Sequence, residues 1–130
     1  MKIAKCRCSS LRAECKGDPL RVSVCHCEEC QRRTGSAFAV QARFHCDAVE
    51  ITGPSKTFER IADSGNVLSY RFCPSCGSTV AYQIDAWPDV IAIPLGAFEQ
   101  QDFPAPVYSV YERRKHPWVT LTGEDIERHF

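Results

Sequence analysis

The chain has 130 residues, the length of one domain, and its 16 basic and 16 acidic residues leave a formal net charge of +0. That balance excludes the basic footprint of a nucleic-acid or anionic-membrane binder, and no segment reaches the roughly 20 apolar residues that span a bilayer. The opening Met1-Lys2-Ile3-Ala4-Lys5-Cys6 lacks the apolar run of a signal peptide, so the expected home is the reducing cytoplasm, where clustered cysteines are metal ligands more often than disulfides.

Along the chain, the first regular pattern is Leu20, Val22 and Val24 alternating with Arg21 and Ser23 and running into Cys25. Such period-two alternation predicts a half-buried strand. Glu28 to Arg33 predicts a turn of helix after Cys27. Phe38, Val40, Ala42 and Phe44 predict the next strand, and Val49 to Ile51 and Lys56 to Ile61 flank the Gly53-Pro54 turn as two more. Leu68, Tyr70 and Phe72 alternate into Cys73, and Ser78 to Gln83 and Val90 to Leu95 follow. Val90-Ile91-Ala92-Ile93 is continuously apolar and predicts burial on both faces. Val107 to Tyr111 reads as the last strand, and Thr122-Gly123-Glu124-Asp125 resembles a capping box that would start a short helix. The expectation is one mainly β, antiparallel domain over residues 1–130, with short helical turns.

The chemistry lies in the thiols. Seven of the nine cysteines form three clusters: Cys6-x-Cys8, Cys25-x-Cys27-x-x-Cys30 and Cys73-x-x-Cys76-Gly77. A closed structural zinc takes four ligands, and a catalytic zinc commonly takes three and keeps one position open. Cys73-x-x-Cys76 followed by Gly77 is a zinc-knuckle pattern, because two thiolates three residues apart bite one ion when the chain turns tightly. Gly77 permits the positive φ that such a turn uses. Joined to Cys6 and Cys8, this pair makes a four-thiolate structural site and closes a loop of about 65 residues. Spacing alone leaves open that Cys73 and Cys76 join two of Cys25, Cys27 and Cys30 instead.

Cys25, Cys27 and Cys30 are the only cluster with three thiols, the natural set for an open site. Three thiolates make a weak Lewis acid, so a hydrolytic zinc-bound water fits less well than a soft ligand such as an external thiol. The competing readings are a second structural metal, closed by Cys15, Cys46 or a histidine, and a thiol redox protein built on Cys-x-x-Cys. His26 points away from its cysteine neighbours on an extended chain and reads as a supporting or packing residue. Isolated Cys15 and Cys46 read as small buried hydrophobes. Downstream, Arg32 and Arg33 are candidates to clamp a carboxylate, and Ser36 to expose a backbone N–H beside the metal. The bland alternative for the arginines is a solvated helix face.

Cys6-Arg7-Cys8, Cys25-His26-Cys27-Glu28-Glu29-Cys30-Gln31-Arg32-Arg33-Thr34-Gly35-Ser36, Phe72-Cys73-Pro74-Ser75-Cys76-Gly77-Ser78 and the late Pro117-Trp118-Val119 resemble the glutathione-dependent formaldehyde-activating enzyme family, which includes the centromere protein V group. The resemblance covers nearly the whole chain in order. It implies an Mss4-like fold of coiled antiparallel β-sheets. It implies two zinc ions per chain, a structural one on Cys6, Cys8, Cys73 and Cys76 and a catalytic-type one on Cys25, Cys27 and Cys30. It also implies a carbon–sulfur lyase that joins a small thiol such as glutathione to formaldehyde or another aldehyde, giving S-hydroxymethylglutathione in the named case. The alternative class is a non-catalytic, zinc-stabilised binding module, since the Mss4-like fold also serves partner recognition.

Overall fold

The computed structural model describes residues 1–123 and 125–130. Eleven strands lie among the described residues: β1 (Lys2–Lys5), β2 (Arg12–Cys15), β3 (Arg21–Cys25), β4 (Ala39–His45), β5 (Val49–Thr52), β6 (Lys56–Ile61), β7 (Val67–Phe72), β8 (Thr79–Ile84), β9 (Val90–Pro94), β10 (Tyr108–Val110) and β11 (Glu127–Arg128). One α-helix, α1 (Glu28–Thr34), and three short 3-10 turns complete them. No helix among the described residues is long and apolar enough to cross a membrane.

The strands form a three-stranded sheet, β1-β2-β5, and an eight-stranded sheet ordered β11-β10-β3-β4-β9-β8-β7-β6. Nearly every pairing is antiparallel, and β6, β7, β8 and β9 are joined in turn by short hairpin connections. β10 is the exception. It lies parallel to both β3 and β11, so the large sheet is mixed.

Alternation gives the large sheet two different faces. Val22, Ala42, Phe44, Ile91 and Ile93 pack against Ala4, Leu11, Ala13 and Cys15 of the small sheet and its loop, making the main core. Phe44 is only 1% exposed, and truncating such a ring costs about 3–5 kcal/mol. The expected burial of β9 on both faces is present, with Ile91, Ala92 and Ile93 all buried. The opposite face carries Arg21, Ser23 and Cys25 on β3, in register with Arg43, Gln41 and Ala39 on β4. This second face positions the chemistry.

Three expectations need correction. β1 and β2 were not foreseen, because Lys2-Ile3-Ala4-Lys5 and Arg12-Ala13-Glu14-Cys15 are short and half charged and acquire strand geometry by pairing with each other and with β5. β10 is not the last strand, since the chain returns as β11 beside it. Of the capping-box segment, Glu124 lies outside the described residues, Thr122 and Gly123 are not helical, and the chain continues into β11.

Candidate metal centres and the adjoining cleft

The thiol clusters partition as four and three. The ligand atoms of Cys6, Cys8, Cys73 and Cys76 all lie within 4.8 Å of one another, and those of Cys25, Cys27 and Cys30 form a separate group on the same criterion. Both groups could hold a metal ion. The alternative pairing of Cys73 and Cys76 with the inner trio is not what the fold brings together.

In the outer group, local turns aim the sulfurs. The Cys6 N–H donates to the Leu11 carbonyl, the Leu11 N–H donates back to Cys6 Sγ at 3.3 Å, and the Ser9 N–H donates to the Cys6 carbonyl. Ser9 closes this turn with a positive φ of 68°. On the other side Gly77, at φ 79°, donates its N–H to the Cys73 carbonyl, and the Ser75 N–H donates to Cys73 Sγ. The Cys6–Cys8 and Cys8–Cys73 sulfur separations are both 3.6 Å. Two thiolates on a tetrahedral zinc stand about 3.8 Å apart, so the donor set fits that ion in type and spacing. Ser10 is a participant that the sequence reading missed. Its hydroxyl lies 3.1 Å from Cys8 Sγ and 3.3 Å from Cys73 Sγ. That hydroxyl, with the Cys76 backbone, lowers the Cys73 pKa to about 7, and the Ser78 backbone N–H lowers that of Cys76 to about 5. Thiolates are the ligand form, so these hydrogen bonds favour metal capture.

The inner trio sits where β3 hands over to α1. Cys25 ends β3, paired with Ala39 of β4 and Val110 of β10. Cys27 is the N-cap of α1, its sulfur accepting the Cys30 N–H at 3.3 Å. Gly35, left-handed at φ 66°, stops the helix after two turns by donating to the Gln31 carbonyl. A thiol in a capping role thus carries two neighbours onto one side of the helix start. Hydrogen bonds from Cys25 and Cys30 drive the Cys27 pKa far down, while the Cys27 contact and burial drive that of Cys25 up.

His26 points away from the trio and is fully buried. Its Nε2 lies 3.1 Å from both the Ser109 hydroxyl on β10 and Glu112 Oε2. Glu112 is further held by Arg128 of β11 at 3.1 Å and by Lys115 at 3.5 Å. Burial lowers the His26 pKa against the pull of Glu112, which favours the neutral ring. Burial pushes the Glu112 carboxyl up, but the Ser109 hydroxyl, Arg128 and Lys115 outweigh it and hold the pKa below the usual carboxylate range. This network fastens the last strands behind the trio. Cys15 is buried in the core and its pKa rises to about 11, whereas Cys46 is half-buried beside the Gln83 amide at 3.2 Å. Neither joins a thiol group.

The trio opens onto a cleft of roughly 690 Å³ on the second face of the large sheet, lined at that end by Cys25, Cys27 and Cys30. This size suits a small-molecule ligand. Its floor includes Ser23, Gln41 and Arg43, and Tyr70 and Tyr82 form a wall under Arg33. Of the three residues expected to meet substrate, Arg33 lines the cleft. Arg32 instead points to Glu28 at 2.5 Å, and Ser36 is exposed; neither is a lining residue. Among the described residues no fourth histidine, cysteine, aspartate or glutamate joins the trio.

A family model described as glutathione-dependent formaldehyde-activating enzyme matches residues 1–114. No curated protein gives a significant match. Among solved structures, the crystal structure of a Rhodobacter sphaeroides protein aligns with a TM-score of 0.61 at 17% identity, covering 77% of this chain and 90% of that one, a likeness of fold.

Proposed function

The chain belongs to the glutathione-dependent formaldehyde-activating enzyme family, and from that premise we propose that it is a zinc-dependent carbon–sulfur lyase acting on a thiol–aldehyde adduct, with S-hydroxymethylglutathione the first candidate. The observation that carries this reading is the three-thiol group without a fourth protein ligand, opening directly onto a ligand-sized cleft. Cys25, Cys27 and Cys30 would hold the reactive zinc, and Cys6, Cys8, Cys73 and Cys76 a structural one. Bound there, zinc supplies a cation that keeps an entering sulfur deprotonated and favours charge building on an aldehyde oxygen.

In the synthetic direction the thiol sulfur attacks the formaldehyde carbon. A C–S bond forms, the C=O π pair moves to oxygen, and that oxygen takes up the proton the thiol gave up. Thiol plus aldehyde gives the hydroxymethyl thioether with nothing left over, and the lyase direction reverses each step. The chain's own work is to hold the sulfur at the trio and orient the rest of the substrate along the cleft. A closed fourth ligand or a missing cleft would favour the non-catalytic binding module, and neither feature is present among the described residues. The cytoplasm is the compartment that fits this chemistry, since it keeps seven ligand thiols reduced.

Two-dimensional exchange NMR between formaldehyde and S-hydroxymethylglutathione tests the reading. The exchange rate should rise in proportion to zinc-loaded protein. Exchange that stays at the uncatalysed rate with both metals bound would overturn it.

A further inference from the structure

The wall of the cleft holds a phenol beside a guanidinium. Tyr70 on β7 is paired with Tyr82 on β8, and both line the cleft. Tyr70 is only 8% exposed, so what remains open of it faces the cleft. Arg60 on β6 also lines the cleft and donates a side-chain N–H to the Tyr70 hydroxyl oxygen at 3.4 Å. Helix α1 reaches both residues. Arg33, one helical turn beyond Cys30, lies over the Tyr70 ring at 5.6 Å. Glu29, on the same helix face as Arg33, stands 3.7 Å from Arg60 Nε. The helix that starts at Cys27 and carries Cys30 is thus tied to this phenol twice, through Arg33 and through Glu29 and Arg60.

The direction of the Arg60–Tyr70 hydrogen bond matters. A guanidinium has donors only, so the phenol oxygen accepts and its own proton is not spent on Arg60. Among the described residues no acceptor is hydrogen-bonded to that proton. Burial works against the Arg60 charge, but the Tyr70 hydrogen bond, Glu29 and Cys27 outweigh it and raise the Arg60 pKa. Arg60 Nε is buried without an acceptor, so the protein leaves part of the donor capacity unspent. Tyr82 is the poorer acid of the pair, because burial pushes its pKa up.

Thiol addition needs a proton donor. As sulfur adds to an aldehyde, negative charge builds on the aldehyde oxygen and a proton must reach it. With three protein thiols on the metal, an entering sulfur fills the fourth position, so the oxygen requires a donor of its own.

We propose that Tyr70 is the catalytic acid of the synthetic direction and that Arg60 stabilises its phenolate. The thiol gives its proton to solvent, its sulfur forms the C–S bond, and the C=O π pair moves to oxygen. The Tyr70 O–H bond breaks toward that oxygen, and the phenolate left behind keeps the Arg60 N–H. A solvent proton restores the phenol, so thiol plus aldehyde still gives the adduct alone. Cleavage runs the same transfers backward, with the phenolate as base. This assignment rests on the lyase reading for the reaction, and on the cleft wall for the residues.

The test is formaldehyde exchange on zinc-loaded protein, with the maximal rate and the glutathione half-saturation read separately. Tyr70→Phe keeps the ring. It should lower the maximal rate about 100-fold or more, with half-saturation within about threefold of wild type and both metals retained. Arg60→Gln should lower the rate about 10-fold or more, and Arg60→Lys, which keeps a cation, should fall between Arg60→Gln and wild type. Arg71→Gln, at an exposed β7 position outside the cleft, should leave both values unchanged. A Tyr70→Phe or Arg60→Gln rate within about threefold of wild type overturns the proposal and leaves the lyase standing. A Tyr70→Phe loss that appears only as weaker glutathione binding, or together with a lost zinc, overturns it as well. Exchange at the uncatalysed rate in the wild type defeats the lyase reading and this role with it.

Discussion

The sulfur of Cys8 stands 3.6 Å from that of Cys73, 65 residues further along the chain. Cys8 belongs to the loop between β1 and β2 of the small sheet, and Cys73 follows β7 of the large one. A metal held between them would fasten the two sheets, and its binding free energy would become folding free energy.

Cys73→Ser should therefore abolish folding. A structural zinc is worth about 10–16 kcal/mol in apparent terms, against a total stability of about 5–15 kcal/mol for a domain. Circular dichroism of the variant should lose the strand signal, and a folded variant with unchanged melting temperature would contradict the structural role.

Cys27→Ser should have the opposite profile. The substitution removes one ligand and the N-cap acceptor of a two-turn helix, a cap worth about 1 kcal/mol. The protein should stay folded, lose one zinc by elemental analysis, and lose formaldehyde exchange. Retention of two zincs would show that the trio is not the second site.

Gly53→Ala should disturb the outer site from a distance. Gly53 has a φ of +101°, and a Cβ there would stand 1.9 Å from the Ser10 carbonyl oxygen. Backbone cannot move aside cheaply, so the loop bearing Cys8 and Ser10 must shift. Strain and clash together should cost at least about 2 kcal/mol. Metal transfer to a chelator should accelerate for one of the two zincs, and an unchanged transfer profile would mean that the loop is not held in this way.

How much of this was legible beforehand depended on which face a residue occupies. The alternation at Val22 and Val24, or at Ala42 and Phe44, marked strands, and the thiol spacings marked two groups. Gln41 and Arg43 were passed over because a polar residue alternating with an apolar one reads as solvent-facing. Only the sheet order shows that this face lines a cleft and is not simply open to water. Ser10 was missed for a related reason. Its distances to Cys8 and Cys73 depend on a tertiary approach that no local pattern encodes. β11 has two residues and exists by pairing with β10.

Glu112 gives a pH-dependent prediction. Its carboxyl pKa is held below the usual carboxylate range, so the folded state binds fewer protons there than the unfolded chain. The stability it contributes is complete above about pH 5 and is lost as pH falls through the ordinary carboxylate range near 4 toward the lower folded value. Acid also releases thiolate-bound metal, so the informative quantity is the difference between wild type and Glu112→Gln. Unfolding free energies from urea titration should differ by about 2 kcal/mol near neutrality, and the difference should shrink steadily as pH falls below about 4. A difference that is constant across this range would remove the charge from the explanation.

The central claim is that one metal is closed by four thiolates while the other keeps a vacancy that a substrate sulfur enters. Zinc-edge X-ray absorption measures this directly by counting sulfur neighbours. Seven protein sulfurs over two ions predict an average of about 3.5 sulfurs per zinc in the free protein, rising to about 4 when glutathione is added. An average that glutathione leaves unchanged, or that already stands at 4 in the free protein, would contradict the account.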